Sequence, residues 1–159
     1  MNPSRLVRPL LILLLLASRL LTADPAALPQ ADDLQQLGKT AEKKHIPILL
    51  LVSQFHCDFC ERMKREVLYP MQLSGVYADQ VLMRELLIDA GEMVTDFQGH
   101  RQPSNAFSAH YNVHVTPTLL FLDGQGKEVA ERILGINTVD YLSLYIEEAI
   151  ETASQNMAR

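Results

Sequence analysis

The chain has 159 residues, 48% of them hydrophobic and 21% charged, which suits one globular domain with a core of ordinary size. Its formal net charge is −5 and it has no extended basic stretch, so nucleic acid and anionic lipid are excluded as expected partners. With only two cysteines, it is not a multi-bridge disulfide scaffold.

Arg5 and Arg8 precede the apolar run LLILLLLA, Leu10 to Ala17, and Arg19 follows it. The run is shorter than the roughly 20 apolar residues that span a bilayer. The pattern therefore predicts a secretory signal over 1–23, cut after Ala23, with a retained anchor as the alternative. Residues 1–23 hold three Arg and no acid, so their loss takes the formal charge from −5 to −8. Export places the domain in the periplasm or another extracytoplasmic compartment, where disulfides persist.

Residues 24–33, with Pro25, Pro29 and small side chains, read as a linker to a domain over 34–153, followed by a tail at 154–159. Asp32 or Asp33 caps a first helix whose Leu34, Leu37 and Ala41 share one face, and Pro47 ends it near His45. ILLLVS, Ile48 to Ser53, is apolar without alternation, the pattern of a strand buried on both faces. FHCDFCERMKREV, Phe55 to Val67, follows as a strand-to-helix turn. In it Cys60, Met63 and Val67 make an inward stripe, Glu61 and Arg65 are spaced to pair, and Pro70 ends or kinks the helix. A second strand runs from Val81 to Asp89, before a long connection, Ala90 to Pro103. Ser104 is expected to cap a short helix carrying Phe107 and Tyr111. TLLFLD is a third strand, GQGK a hairpin turn rather than a phosphate loop, and Glu128 to Leu134 a fourth strand. A last helix starts near Thr138, with Val139, Leu142, Ile146, Ile150 and Ala153 on one side. This order predicts an α/β fold: a mixed sheet of about four strands with helices on both faces, the first two strands parallel and the last two a hairpin.

Cys57 and Cys60 can be a metal clip, a structural staple or a reactive dithiol. The loop they would close is very small, so it adds little stability through chain entropy. If Cys57 opens the helix, its sulfur lies near unpaired N–H groups at the positive end of the dipole, which favour thiolate. Cys60 then sits one turn deeper on the same face, placed to resolve a mixed disulfide on Cys57. The neighbours tune this chemistry. The carboxylate of Asp58 disfavours a thiolate on Cys57, whereas a protonated His56 favours it.

HCDFC after a buried strand, followed much later by VTPTLLFLD, resembles the thioredoxin superfamily over roughly 34–153. The detail is most similar to the exported bacterial thioredoxin-like proteins, including the SoxW-type group. The resemblance implies a thioredoxin-like fold, with Cys57 as the exposed attacking thiol and Cys60 as the resolving thiol. It further implies that Pro117 is a cis-proline facing the pair, with Thr116 before it, an edge on which an extended client segment can pair. Read without the resemblance, Pro117 is an ordinary trans proline that starts a strand. Two departures stand out. The Trp-Cys-Gly-Pro-Cys motif is absent, and the acid that thioredoxin carries six residues before its first cysteine is here Leu51. Glu85 is expected to be an outward-facing edge-strand residue, with proton acceptor for Cys60 as the alternative.

The expected activity is that of a thiol–disulfide oxidoreductase, reducing or isomerising disulfides of extracytoplasmic proteins. It needs no cofactor or metal beyond its dithiol. The expected partners are protein clients with thiols or disulfides and a membrane-bound thiol reductase. One alternative is a copper- or soft-metal-handling protein using His56, Cys57, Cys60 and Met63. The other is a non-catalytic binding domain of the same fold. His45, His100, His110 and His114 are scattered and read as surface or packing residues.

Overall fold

The computed structural model describes residues 27–136 and 138–159. The expected signal segment 1–23 and linker positions 24–26 lie outside the described residues. Helix α1 spans Leu34–Lys44; Asp33 caps it by accepting from Gln36 N at 2.8 Å, and His45 ends it in the left-handed region at φ 56°. Strand β1 is Ile48–Ser53, buried along its whole length. The long helix that follows has three parts: α2 at Asp58–Met63, a π-helical turn at Lys64–Leu68, and α3 at Tyr69–Leu73. Then come β2 (Leu82–Leu87), β3 (Met93–Thr95), β4 (Arg101–Pro103), α4 (Ser104–His110), β5 (Thr118–Leu122), β6 (Ile133–Leu134) and α5 (Val139–Met157). Among the described residues no helix is long and apolar enough to cross a membrane.

The main sheet has the order β2-β1-β5-β6. Strands β1 and β2 are parallel, and β5 runs antiparallel to both β1 and β6. Alternate residues of the central strands feed two cores, as period-two geometry requires. Leu49, Leu51, Leu119 and Phe121 pack against Met63, Val67 and Leu68 of the long helix and against Leu142, Ile146 and Ile150 of α5. Ile48, Leu50, Val52, Leu120 and Leu122 pack on the other face against Leu34, Leu37 and Ala41 of α1, and Phe107 of α4.

Several local expectations change. Of the two alternatives at Pro70, an end or a kink, the helix does not end: it continues to Leu73 with a break in its regular pitch before the proline. A proline ring clashes with the carbonyl four residues back and lacks the N–H that would bond to it. The preceding turn widens to a π-turn, in which Tyr69 N bonds Lys64 O, and this accommodates the ring. Glu61 pairs with Lys64, at 2.6 Å, rather than with Arg65, which pairs with Glu66. Ser104 does not cap α4: Pro103 holds that position, and Ser104 Oγ donates to Glu92 O at 3.1 Å. The fourth strand shrinks to Ile133–Leu134 plus a bridge between Leu122 and Glu128, and Val129 O accepts from Asn156 Nδ2 instead of a strand neighbour.

The 90–103 connection folds back on itself as the β3–β4 hairpin. Asp96 organises its tip: Oδ1 accepts from Gln98 N and His100 N, and Oδ2 from Gln102 Nε2. Val94 is fully buried in the core beside α1. Residues before α1 also dock. Leu28 is buried, and Pro29 and Ala31 bond the backbone of Glu85 on β2, so part of the 24–33 segment covers the outer edge of that strand. At the other end α5 runs to Met157, past Ala153.

Gly38 lets α1 approach the β5–β6 turn closely, since a β-carbon there would lie 2.2 Å from Gly124 O. Alanine is favoured over glycine in a helix interior by about 1 kcal/mol. The obstacle here is backbone, however, so Gly38→Ala is expected to destabilise the fold by about 1–3 kcal/mol. A lowered midpoint in thermal unfolding, with the disulfide kept intact, checks this.

Candidate active site

Cys57 is the N-cap of α2, with extended dihedrals (φ −125°, ψ 97°), and it follows directly on the β1 strand-to-helix turn. Asp89, two residues beyond β2, fixes that turn by accepting from Phe55 N at 2.8 Å. Cys57 and Cys60 form a disulfide, with Cα atoms 5.2 Å apart. Their environments differ. Cys57 is half-buried, and its Sγ accepts from Cys60 N at 3.1 Å. Cys60 is fully buried. A sulfur at the N-cap faces the unpaired amides of the first helical turn, which stabilise negative charge there.

The second element of the site comes from across β1. The Thr116–Pro117 peptide bond is cis and immediately precedes β5. Thr116 Oγ1 donates to Gln54 Oε1 at 2.8 Å and lies 3.7 Å from Cys57 Sγ. Thus Cys57, Cys60 and Thr116 come together, and Pro117, next in the chain after Thr116, is buried. Asp58 is the exposed first residue of α2, and exposed His56 stacks edge-on against Phe55 at 4.7 Å between ring centroids. Phe55 and Phe59 are each more than 60% exposed, and Val115 is half exposed, so the chain next to the cysteines and to Thr116 carries large apolar side chains open to solvent. Met63, the fourth member of the soft-ligand set, is fully buried in the core. His100 contacts Asp96 and His110 stacks on Tyr111. Among the described residues no three His, Cys, Asp or Glu side chains converge as a metal site.

Glu85 corrects the sequence reading. It does not face outward but is only 4% exposed. Its Oε1 accepts from Ser53 Oγ at 2.6 Å and from Lys64 Nζ at 2.9 Å, and its Oε2 accepts from Gln30 Nε2 at 3.1 Å. Lys64 Nζ also reaches Glu61 Oε1 at 2.6 Å. Burial pulls the Lys64 pKa down, but the bonds to Glu61 and Glu85 outweigh it and hold the ammonium above its ordinary 10.5. Lys64 and Ser53 were missed from sequence. The spacing of Lys64, four residues beyond Cys60, was the available signal.

A family model described as a thioredoxin-like domain matches residues 34–150. Among solved structures, the chain is similar to a DsbH oxidoreductase at 21% identity and a TM-score of 0.60, over 80% of this chain and 88% of that one. It is similar to thioredoxin O2 from Arabidopsis thaliana in the oxidised state at 20% identity and a TM-score of 0.52, over 77% and 94% of the two chains. Oxidised mitochondrial thioredoxin 3 from Saccharomyces cerevisiae gives 15% identity and a TM-score of 0.52, over 81% and 98%. These likenesses are of fold. No curated protein sequence matches the chain significantly. The four-stranded mixed sheet, the helix-capping cysteine pair and the family match together make this chain a member of the thioredoxin-like domain family.

Proposed function

We propose that the protein is a thiol–disulfide oxidoreductase that reduces or isomerises disulfides of extracytoplasmic protein clients. The observation that carries this is the asymmetry of the pair: a half-buried cysteine at a helix N-cap and a fully buried cysteine one turn on. In the reduced protein the Cys57 thiolate attacks a client disulfide, and one client sulfur leaves with the electron pair. Cys60 then attacks Cys57 Sγ, re-forms the protein disulfide and releases the second client sulfur. Exposed Phe55, Phe59 and Val115 offer apolar contact to a client, and the backbone at Thr116 offers an edge for an extended segment. The dithiol is the only redox group this scheme requires, and a membrane-bound thiol reductase is the electron donor proposed for it. The signal-like N-terminus supports an extracytoplasmic site of action, and HCDFC with VTPTLLFLD supports placement among the exported, SoxW-type members.

The direction of electron flow is tested by equilibration with glutathione. Asp58 sits beside Cys57 in the first turn, where its charge opposes the thiolate by about 1 kcal/mol for partly solvated groups. Asp58→Ala is therefore expected to lower the Cys57 pKa by somewhat under about one unit and to raise the potential by roughly 20 mV. The wild-type potential is expected to be more negative than about −200 mV. A value near −120 mV, typical of strong disulfide donors, overturns the reductant assignment. An unchanged or higher Cys57 pKa in the variant removes the role of Asp58.

A further inference from the structure

Gln54 has no part in the exchange scheme above, yet it holds a hydroxyl that lies 3.7 Å from the sulfur of Cys57. The register of the sheet puts it there. Strands β1 and β5 are antiparallel, with Ile48 opposite Leu122 and Val52 opposite Thr118. Two residues on along β1 and two back before β5, the same register sets Gln54 opposite Thr116. Side chains at such opposed positions are within reach of each other, and Thr116 Oγ1 donates to Gln54 Oε1 at 2.8 Å. The backbone on either side is fixed. Ser53 is fully buried, Phe55 N donates to Asp89 at 2.8 Å, and Thr118 Oγ1 donates to Val115 O at 2.8 Å.

Burial does not require the bond between Gln54 and Thr116. Gln54 is exposed, so water can satisfy its amide, and the net gain in stability is small. The bond does decide where the hydroxyl points. A threonine hydroxyl has one proton to donate. A separation of 2.8 Å is an ordinary O–H···O length, so in the disulfide form that proton lies toward Gln54. Reduction changes the competition. A dithiol donor gives two electrons, the Cys57–Cys60 bond breaks, and the donor becomes a disulfide. Cys57 is left as a thiolate, Cys60 takes one of the donor's two protons, and the other goes to solvent. A thiolate is a charged acceptor and draws hydrogen-bond donors strongly. Gln54 Oε1 and Cys57 Sγ then compete for the same hydroxyl proton.

Resting on the oxidoreductase reading, we propose that Gln54 is a positioning residue that holds the Thr116 hydroxyl away from the Cys57 thiolate and so makes the reduced protein less stable. The proton stays on Thr116 Oγ1 throughout, and only its acceptor changes. A hydrogen bond to the thiolate lowers the pKa of the thiol, and a rival acceptor offsets part of that effect. Gln54 therefore works in the same direction as Asp58: one acts by competition for a donor, the other by charge.

A double-mutant cycle on the full chain tests this. Wild type, Gln54→Met, Thr116→Val and the two changes together are compared. Methionine keeps the length of glutamine without its amide, and valine keeps the shape of threonine without its hydroxyl. The lower of the two midpoints in thiolate absorbance reports Cys57, and each disulfide is equilibrated with glutathione. Gln54→Met is expected to lower that midpoint by about half a unit, roughly threefold in acid constant. The glutathione equilibrium, at a pH above the midpoint, is expected to move about threefold toward the reduced protein. Once Thr116→Val is present, Gln54→Met has no hydroxyl to release and is expected to shift the midpoint by less than about 0.2 unit. Gln54→Ala, which also lacks the amide, is read in the same way if Gln54→Met does not fold. A midpoint that Gln54→Met leaves unchanged or raises overturns the role of Gln54. A fall of equal size with and without Thr116→Val also overturns it, because Gln54 then acts on the sulfur without the hydroxyl. Either result leaves the oxidoreductase reading intact. A wild-type disulfide that does not exchange with glutathione overturns that reading, and the role of Gln54 with it.

Discussion

Cys57→Ser is expected to reduce disulfide exchange to the uncatalysed background, whereas Cys60→Ser is expected to stop after one step, holding the client as a mixed disulfide. The difference follows from where the two sulfurs sit. Cys57 is half-buried at the N-cap; its Sγ accepts from Cys60 N at 3.1 Å and lies 3.7 Å from the Thr116 hydroxyl. The amide belongs to the helix end, so it remains to stabilise a thiolate when the bridge opens, while the Thr116 hydroxyl donates to Gln54 and lies beside the sulfur. Cys60 has no exposed surface from which to meet a client, so it cannot replace Cys57 as the attacking group. Once Cys57 carries a client, Cys60 is the sulfur on hand to remove it, and serine in its place leaves the adduct without a resolving nucleophile. Intact mass and non-reducing electrophoresis after incubation with a disulfide-bonded client read the adduct directly. Equal trapping by the two variants, or trapping only by Cys57→Ser, contradicts the division of labour.

The same residues show how far a sequence reaches. Ile48 to Ser53 declares a doubly buried strand because an apolar run with no alternation has no solvent face, and the structure buries all six residues. Cys57 and Cys60 are legible because their spacing after such a strand puts them on one helical face. The π-turn is harder to read: it comes from a conflict between Pro70 and the carbonyl four residues back, which helical periodicity records only as a break. Glu85 misled for a different reason. On the sequence it sits in a second strand with an apparently free edge, and an acid there belongs in water. The segment at 29–31 covers that edge, and Lys64 comes from a different element to meet the carboxylate. Both facts are tertiary, and neither the composition of the 24–33 segment nor the charge of Lys64 announces them. The β3–β4 hairpin was hidden in a similar way, since its short strands are held by Asp96 at the tip and by Val94 in the core rather than by an alternating run.

Lys64→Ala is expected to destabilise the oxidised protein by about 2–4 kcal/mol, because it leaves the Glu85 carboxylate buried without its counter-charge. The figure lies toward the lower part of the range for buried pairs because Glu61 opens the Lys64 end of the network to solvent. Lys64→Met combined with Glu85→Gln is expected to lie within about 1–2 kcal/mol of wild type, since neither charge then remains and the Gln oxygen still accepts from Ser53. The pair therefore acts through the penalty for leaving one partner alone rather than through a large net gain. The pH dependence has a definite sign. The folded Lys64 pKa is raised above 10.5, so its contribution is fully present below the unfolded value and is lost as pH rises through the folded one. The gap between wild type and Lys64→Ala is thus expected to be level from neutral pH upward and to close only above about 10.5. Urea unfolding at constant m, with the disulfide intact, measures each gap. If Lys64→Ala costs no more than breaking the exposed Arg62–Glu66 pair, the buried Lys64–Glu85 contact carries no more stability than a surface pair, and the burial argument fails.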